Sequence, residues 1–232
     1  MQANGFSWLG WSANSGAPEV FIDGHPAARA FRLIRNTTGT HVCTMSSSGP
    51  DTGGDVVAAE QIRDASVGDA ASIEAVHFAS REAAYSPHVS EWPPEGPGRS
   101  ERVERWKRWL SSPDIHCMVA EQDGRIVGFV TVRAATDDDI SPDVVAEMPT
   151  VYVDPTVWRS GLGAALCDAG VERARELGFR ALVLWVLEIN GRARAFYESR
   201  GFQPDGASKI DDGTPEAFGA DRYRIELEVG PT

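Results

Sequence analysis

The clearest pattern of hydrophobic positions in the chain is a short strand-like run followed by helical spacing. Residues 150–153 read Thr-Val-Tyr-Val, which is typical of a strand because β-branched and aromatic side chains favour the pleated conformation. From Leu162 to Leu177, apolar residues recur at the spacing of one helix face, and Gly178 follows where a helix usually ends. The pattern therefore predicts a strand, a tight loop and a helix that begins near Gly161.

A second strand and helix follow directly. The run 181–187, Ala-Leu-Val-Leu-Trp-Val-Leu, is apolar throughout, which is typical of a strand covered on both faces. Asn190 is a favourable residue for a helix N-cap, and Ala193, Phe196 and Tyr197 share one face of the helix it would begin. Two strand–helix units therefore lie close together in the sequence.

The pattern predicts further elements on both sides of these units. It predicts strands at 61–65, as an edge strand, and at 114–122, 125–135 and 223–229, with helices at 69–85 and 101–110. Asp123-Gly124 is a signal for a two-residue hairpin turn. Acidic or Pro/Gly-rich segments predict loops at 86–100, 136–146 and 203–221. The predicted fold is α/β, with a mixed, mainly antiparallel central sheet of about six or seven strands flanked by helices on both faces.

The N-terminal part of the chain lacks such periodicity. Residues 1–59 contain turn-forming residues, isolated aromatic residues and a Ser/Gly-rich run at 46–54. We expect residues 1–59 to form an extension that is mostly disordered, and residues 60–230 to form the domain. The alternative is a small accessory element with a weak helix at 26–35.

Two glycines expose backbone at the start of the first predicted helix. Gly161 and Gly163 leave N–H groups at the positive end of the helix dipole, an arrangement that binds phosphate. A dinucleotide-binding fingerprint would need a third glycine at Leu166, and a P-loop would need a lysine that this segment lacks. An ordinary strand-to-helix connection is the remaining alternative.

The two units together carry a more specific signal. The pattern V-x-P-x-x-W-R-S-G-L-G-x-x-L, followed by L-W-V-L-x-x-N-x-x-A-x-x-F-Y-x-x-x-G-F, resembles the GNAT superfamily of acetyl-CoA-dependent N-acetyltransferases over about residues 61–229. The resemblance implies acetyl transfer from acetyl-CoA to a primary amine of a small molecule or peptide. Trp158 departs from the family pattern, where many members have Gln or Arg, so a side-chain contact to phosphate would fall to Arg159. The alternatives are a catalytically silent acyl-CoA-binding module of the same fold and a nucleotide-binding regulatory domain.

The resemblance also implies the site. It assigns coenzyme A binding to Tyr152, Val153, Arg159, Ser160, Gly161, Leu162, Gly163, Ala164, Asn190 and Tyr197. It assigns Tyr197 as the acid that protonates the leaving thiolate. Glu147, six residues before Val153, is implied as the general base, and the alternative is a surface carboxylate at a strand end.

Composition limits the partners. A formal charge of −12 argues against non-specific binding to nucleic acid or anionic membranes and fits a cationic amine acceptor, although an acidic surface also serves solubility. The 3 cysteines are far apart without a C-x-x-C motif, which predicts reduced, buried thiols and no metal site. No stretch approaches the roughly 20 apolar residues of a membrane span. We expect a cytoplasmic monomer or homodimer.

A few other residues have two interpretations. Trp106 and Trp109 could form a wall of the acceptor site, but their pattern favours core packing. Lys209, in the loop predicted near the acceptor, could contact substrate or be solvated. His77 is more typical of a core or surface histidine than of a catalyst.

Overall fold

The computed structural model describes residues 31–35, 41–45, 60–88, 97–211 and 218–228. Its strands and helices, in chain order, are β1 Phe31–Arg35, β2 His41–Met45, β3 Glu60–Asp64, α1 Ala70–Tyr85, α2 Arg99–Leu110, β4 His116–Gln122, β5 Arg125–Ala134, β6 Val145–Val153, α3 Leu162–Glu176, β7 Ala181–Leu187, α4 Gly191–Ser199, β8 Gln203–Ile210 and β9 Gly219–Glu226. Within these residues the strands form a single nine-stranded sheet in the order β1-β2-β3-β4-β5-β6-β7-β9-β8.

The sheet is mixed and mainly antiparallel, as predicted. Every neighbouring pair is antiparallel except β6 and β7. Helices α1 and α2 cover one face, where Ile73 and Trp106 pack with Phe129. Helices α3 and α4 cover the other face through Leu166 and Phe196. No helix in the described ranges combines the length and apolar character needed to cross a bilayer.

Two strands lie inside the predicted N-terminal extension. β1 and β2 pair with each other, and β2 pairs with β3. The prediction that β3 is an edge strand is therefore wrong. These ten residues of the extension form strands, and the alternative helix at 26–35 is wrong for Phe31–Arg35. The rest of residues 1–59 lies outside the described residues. From Glu60 onward the sheet has seven strands, in agreement with the sequence.

The C-terminal hairpin is a second correction. Residues 203–210 were predicted as turn and loop but form β8, and β9 begins at Gly219 rather than at Tyr223. The pairing of β8 with β9 shifts between Pro204 and Ser208. β8 lies at the sheet edge, and most of its side chains are exposed. Because neither face of the strand is fully buried, its sequence needs no alternation of apolar and polar residues. An edge strand of this kind carries little sequence signal.

Strands β6 and β7 separate near the middle of the sheet. Their parallel pairing covers only three residue pairs and ends at Glu147↔Val183. Beyond this point an opening lies between residues 148–153 of β6 and residues 184–187 of β7.

A β-bulge accompanies the separation. Thr131 and Arg133 of β5 pair with Thr150 and Glu147 of β6, so β6 has one residue more than β5 over this stretch. A bulge bends its strand and increases its twist, which accounts for the divergence of β6 from β7. Backbone groups in the middle of the sheet thereby face an opening instead of a neighbouring strand.

The core on the α1 side contains His77. Its ring lies edge-on to Tyr152 at 4.7 Å and to Trp106 at 5.6 Å between ring centroids, so Trp106 packs in the core as the sequence favoured. Burial lowers the pKa of His77 well below 6.5, and nearby arginines lower it further. His77 is therefore a neutral core residue, as expected.

This environment predicts a pH-dependent stability. His77 stays neutral in the folded chain but takes up a proton in the unfolded chain below pH ~6.5, so lowering the pH favours unfolding. Below that pH, the unfolding free energy should fall more steeply in the wild type than in His77→Phe, by up to about 1.4 kcal/mol per pH unit. Urea denaturation at pH 7.5 and 5.5 measures both slopes. Equal slopes would show that His77 is protonated in the folded chain.

Two cysteines are buried thiols, as predicted. Cys117 and Cys167 are free and buried, and burial raises the pKa of Cys167 to about 12. The Cys43 side chain lies outside the described part of the structure.

Candidate active site

The loop between β6 and α3 is fixed by its own side chains. Asp154 Oδ1 accepts hydrogen bonds from the Thr156 backbone N–H at 2.9 Å and from Thr156 Oγ1 at 2.6 Å. This is the local backbone role expected of an aspartate before a turn. The next residues therefore start from a defined position at the end of β6.

The start of α3 forms a concave backbone surface. Arg159 has a φ of 71° and Gly161 a φ of 88°, so two left-handed residues flank Ser160. Alternation of this kind turns successive N–H groups toward one side and binds anions, and the dipole of α3 adds positive potential. A left-handed non-glycine residue such as Arg159 costs conformational energy and is typical of functional sites. The turn therefore suits a phosphate group.

The structure brings the predicted phosphate-binding residues together at this surface. Residues 159–164 span the turn and the first residues of α3. Ser160 Oγ accepts a hydrogen bond from the Leu162 N–H at 3.2 Å, and the Leu162 side chain is buried in the core. Leu162 therefore contributes its backbone and anchors the turn by its side chain.

Val153 lies at the opening between β6 and β7. The Asp154 N–H donates to the Val127 carbonyl at 2.8 Å, and strand alternation then directs the polar groups of Val151 and Val153 away from β5. The Val153 carbonyl accepts hydrogen bonds from Ser80 Oγ and Trp158 Nε1, both at 2.8 Å. The predicted place of Val153 agrees with this geometry. The two donors were not predicted, because the long-range contact of Ser80 has no sequence signal.

Tyr152 is oriented differently from its neighbours. Its backbone faces β5, where it is paired with Phe129, and its ring packs in the core on the α1 side. A backbone contact between Tyr152 and a cofactor in the opening is therefore not supported. The Tyr152 side chain contributes in a small way to the raised pKa of Tyr197, for which burial is the main cause.

Asn190 begins α4 beside a cavity. Its Oδ1 accepts a hydrogen bond from the Ala193 N–H at 3.0 Å, which confirms the predicted N-cap. The cavity measures about 210 Å³ and is lined by Trp158, Asn190 and Arg192 on one side and by the C-terminal residues of α1 on the other. The Arg192 guanidinium lies 5.8 Å from the centre of the Trp158 ring. Trp158 and Arg192 therefore form a wall at the mouth of the opening.

Tyr197 is completely buried. Its ring packs edge-on against Phe196 and Phe202 at centroid distances of 5.2 and 5.4 Å. Its hydroxyl has no hydrogen-bond partner among the described residues. Burial, with smaller effects of Cys167 and Tyr152, raises the pKa of Tyr197 well above 10. The phenol is neutral and holds a proton that it can donate to a bound group.

Glu147 is buried on the α1 face of β6, with 1% of its surface exposed. Its Oε2 accepts hydrogen bonds from Arg133 Nε at 3.0 Å and Nη2 at 2.8 Å, while Oε1 has no hydrogen-bond partner among the described residues. Burial raises the pKa of Glu147 and the Arg133 charge opposes this shift. The alternative of a surface carboxylate is therefore wrong.

These features fit one kind of ligand. The turn at Gly161 can bind a pyrophosphate, and the opening beside Val153 can take an extended arm. Glu147 Oε1 and the Tyr197 hydroxyl, two buried polar atoms, lack hydrogen-bond partners in the described part of the chain. The geometry therefore suits a ligand that carries a phosphate group on an extended arm.

The family follows from comparison with known proteins. The model of the acetyltransferase (GNAT) family matches residues 81–202, and the chain belongs to this family. The match confirms the family that the two motifs predicted.

Relatives are similar over part of their length. An uncharacterized N-acetyltransferase of Methanocaldococcus jannaschii is 32% identical over 107 residues, 44% of this chain and 47% of that protein. A mycothiol acetyltransferase of Thermomonospora curvata is 38% identical over 101 residues, 44% of this chain and 31% of that protein. The chain thus matches less than half the length of both curated relatives.

Solved structures share the fold. A Salmonella typhimurium protein solved with its cofactor acetyl-CoA has a TM-score of 0.57 at 20% identity, covering 75% of this chain and 96% of that one. The PaiA N-acetyltransferase of Thermoplasma acidophilum, in complex with coenzyme A, has a TM-score of 0.54 at 20% identity, covering 72% of this chain and 99% of that one. At this identity the likeness concerns the fold alone.

Proposed function

We propose that this chain transfers the acetyl group of acetyl-CoA to a primary amine of a small molecule or peptide. One observation carries the proposal: two buried polar atoms without hydrogen-bond partners in the described residues, Glu147 Oε1 and the Tyr197 hydroxyl, lie on strands and helices that border one opening. The left-handed turn at Gly161 follows the end of β6, the strand that carries Glu147.

The donor would be bound mainly by backbone. N–H groups of residues 159–164 would hold its pyrophosphate, and Asn190 would border its extended arm. Acetyl-CoA supplies the acetyl thioester when bound. The Val153 N–H, directed toward the opening, would donate to the thioester oxygen, as backbone donors do in oxyanion holes.

Glu147 would receive a proton from the acceptor. An alkyl ammonium has a pKa of about 10.4 and must lose a proton before it attacks. Glu147 Oε1 faces no competing donor in the described chain, and burial raises the Glu147 pKa toward the range of a useful base. Arg133 fixes the carboxylate by binding Oε2, so Oε1 keeps its orientation.

Tyr197 would act at the other end of the reaction. A phenol is protonated at neutral pH, and burial raises the pKa of Tyr197 further, so a proton is present on its hydroxyl for transfer to the departing thiolate. Its rigid packing between Phe196 and Phe202 holds the hydroxyl in place without a protein partner. Base and acid are thus different groups in the proposed reaction.

Release of free thiol from acetyl-CoA, measured with polyamines, aminoglycosides, amino acids and peptide N-termini, tests the proposal. Steady-state thiol release that depends on one amine class supports it. Binding of acetyl-CoA without amine-dependent turnover would instead identify a silent acyl-CoA-binding module. A monomeric or homodimeric cytoplasmic protein stays a prediction from the sequence.

Replacing Glu147 by glutamine should change the pH profile. In the wild type, kcat/KM should rise as Glu147 ionises, with a midpoint above its ordinary value of 4.5. Glu147→Gln should lose this limb, fall by about 10²-fold at pH 7 and partly recover as the pH approaches the acceptor pKa. Initial rates from pH 5 to 10 measure both effects.

Glu121→Gln is the matched control. Glu121 also binds an arginine on a neighbouring strand, Arg63 Nε at 3.0 Å, but lies on β4 away from the opening. Its profile should keep the wild-type shape. An unchanged acidic limb in Glu147→Gln would exclude Glu147 as the base.

A further inference from the structure

A second polar cluster lies next to Glu147 and has no assigned role. Its centre is Arg222 of β9, which is 5% exposed. Arg222 Nε donates to Asp205 Oδ2 at 2.7 Å, and Nη1 donates to Asp137 Oδ2 at 3.2 Å. Nη1 and Nη2 also form a bidentate pair with Asp139 at 2.8 and 2.6 Å. One guanidinium thus binds three carboxylates.

The three carboxylates come from separate parts of the chain. Asp137 and Asp139 lie in the segment that joins β5 to β6, and Asp205 lies in β8. Arg222 therefore connects this segment to the C-terminal hairpin. Only the planar, five-donor guanidinium can bind three carboxylates in this way, because a lysine ammonium is a compact point charge with three donors.

The cluster adjoins Glu147 through Trp185. Trp185 is two residues beyond Val183, the β7 partner of Glu147, so these side chains lie on one face about 7 Å apart along the strand. The Trp185 Nε1 donates to Asp137 Oδ2 at 3.2 Å, and the Arg222 guanidinium lies 5.5 Å from its ring centre. Lys209 Nζ lies 4.0 Å from the same ring.

Charges therefore face Glu147 from several elements. Those that act on Glu147 are Arg133 of β5, Asp137 of the following segment and Lys209 of β8. Arg222 of β9 binds Asp137 and adds the charges of Asp139 and Asp205 to the same cluster. Burial is the main cause that raises the pKa of Glu147, Asp137 raises it further, and Arg133 and Lys209 lower it. The positive charge of Arg222 partly offsets the negative charge of Asp137, so removing Arg222 would strengthen the negative potential at Glu147.

We propose that Arg222 is a positioning residue for acetyl transfer, because it holds the β5–β6 segment against β8 beside Glu147 and partly offsets the negative charge of Asp137. The role of Arg222 in acetyl transfer rests on the proposed function. Its effect on the protonation of Glu147 does not rest on that function and can be tested without turnover.

The first test is a titration of the Glu147 carboxyl carbon by ¹³C NMR, with the signal assigned by its loss in Glu147→Gln. Arg222→Met should raise the midpoint by about 0.5 to 1 pH unit, a roughly three- to tenfold tighter proton. Arg222→Lys keeps the charge and should leave the midpoint near that of the wild type. Asp137→Asn should lower it, which tests the proposal even where Arg222→Met does not fold.

The second test separates position from charge by kinetics with the best amine found. Both Arg222→Lys and Arg222→Met should raise the acceptor KM at least about tenfold and leave the acetyl-CoA KM within about twofold. The reason is that the segment held by Arg222 lies beside Glu147, which receives the proton of the acceptor in the proposed reaction. Arg63→Met is the control. Arg63 lies on β3, three strands from β6, and binds Asp69 and Glu121. Its replacement should affect stability alone.

The outcomes are distinct. Glu147 midpoints that are the same in wild type, Arg222→Met and Asp137→Asn overturn the proposal, as does an equal rise of both KM values in the Arg222 variants. A wild type that releases no thiol with any amine contradicts the proposed function, while the NMR titration still decides the role of Arg222 toward Glu147.

Discussion

Replacing Gly161 and Gly163 together by valine is expected to abolish binding of acetyl-CoA while the chain still folds. Gly161 has a φ of 88°, a conformation that costs a β-branched residue about 1–2 kcal/mol or more, so the turn would rearrange. Gly163 is buried in the first turn of α3, where added methyl groups would have to displace packed neighbours. Isothermal calorimetry measures the loss, which we expect to exceed about 100-fold.

Gly178→Val is the matched control for the turn. Gly178 has a φ of 87° just beyond the other end of α3, and a Cβ there would meet nothing within 4 Å. Its backbone cost should be similar, so the melting temperature should fall comparably while acetyl-CoA affinity is unchanged. Affinity within a few-fold of wild type in the double glycine variant would show that the turn does not bind the donor.

Tyr197→Phe is expected to lower kcat by about 10²-fold and to leave acetyl-CoA affinity within a few-fold. The change removes one oxygen that is buried and has no hydrogen-bond partner in the described residues, so it leaves no protein group unsatisfied. The loss should therefore concern the protonation of the thiolate. Rates with the best acceptor and calorimetry with acetyl-CoA measure the two effects, and raising the pH should not restore kcat.

Tyr223→Phe is the control for loss of a buried phenol. The Tyr223 hydroxyl donates to Glu198 Oε1 at 3.0 Å and accepts from Arg194 Nε at 3.2 Å, outside the opening. This variant should lose stability because it breaks these bonds, with kcat close to wild type. Full kcat in Tyr197→Phe would mean that water protonates the thiolate and that Tyr197 only packs.

The elements that the sequence determined are those whose interactions are local. The Asp123-Gly124 turn has positive φ at both residues, as its two-residue signal requires. Asn190 caps α4 by accepting a hydrogen bond from the N–H of Ala193. The left-handed turn at Gly161 could likewise be predicted, because glycine spacing and the helix start lie within a few residues. Strands with continuous apolar runs, such as β7, could be predicted from their hydrophobicity alone, and β7 is buried throughout.

Segments without such a signal were misjudged. Polar residues of β8 form an edge strand that was predicted as loop, and β1 and β2 extend the sheet beyond β3. Edge strands are stabilised by backbone pairing with a neighbour that is distant in sequence. Their own side chains therefore carry little information about the pairing.

The tertiary structure decided how the candidate site is completed. A bulge in β6 turns Glu147 toward Arg133, and the end of the β6–β7 pairing opens the sheet beside Val153. Arg222 meets Asp137 across 85 positions of the sequence. These contacts depend on strand register, where a shift of one residue moves each side chain to the opposite face. The sequence thus determined which residues are candidates for the chemistry, while register between distant strands decided which of them meet.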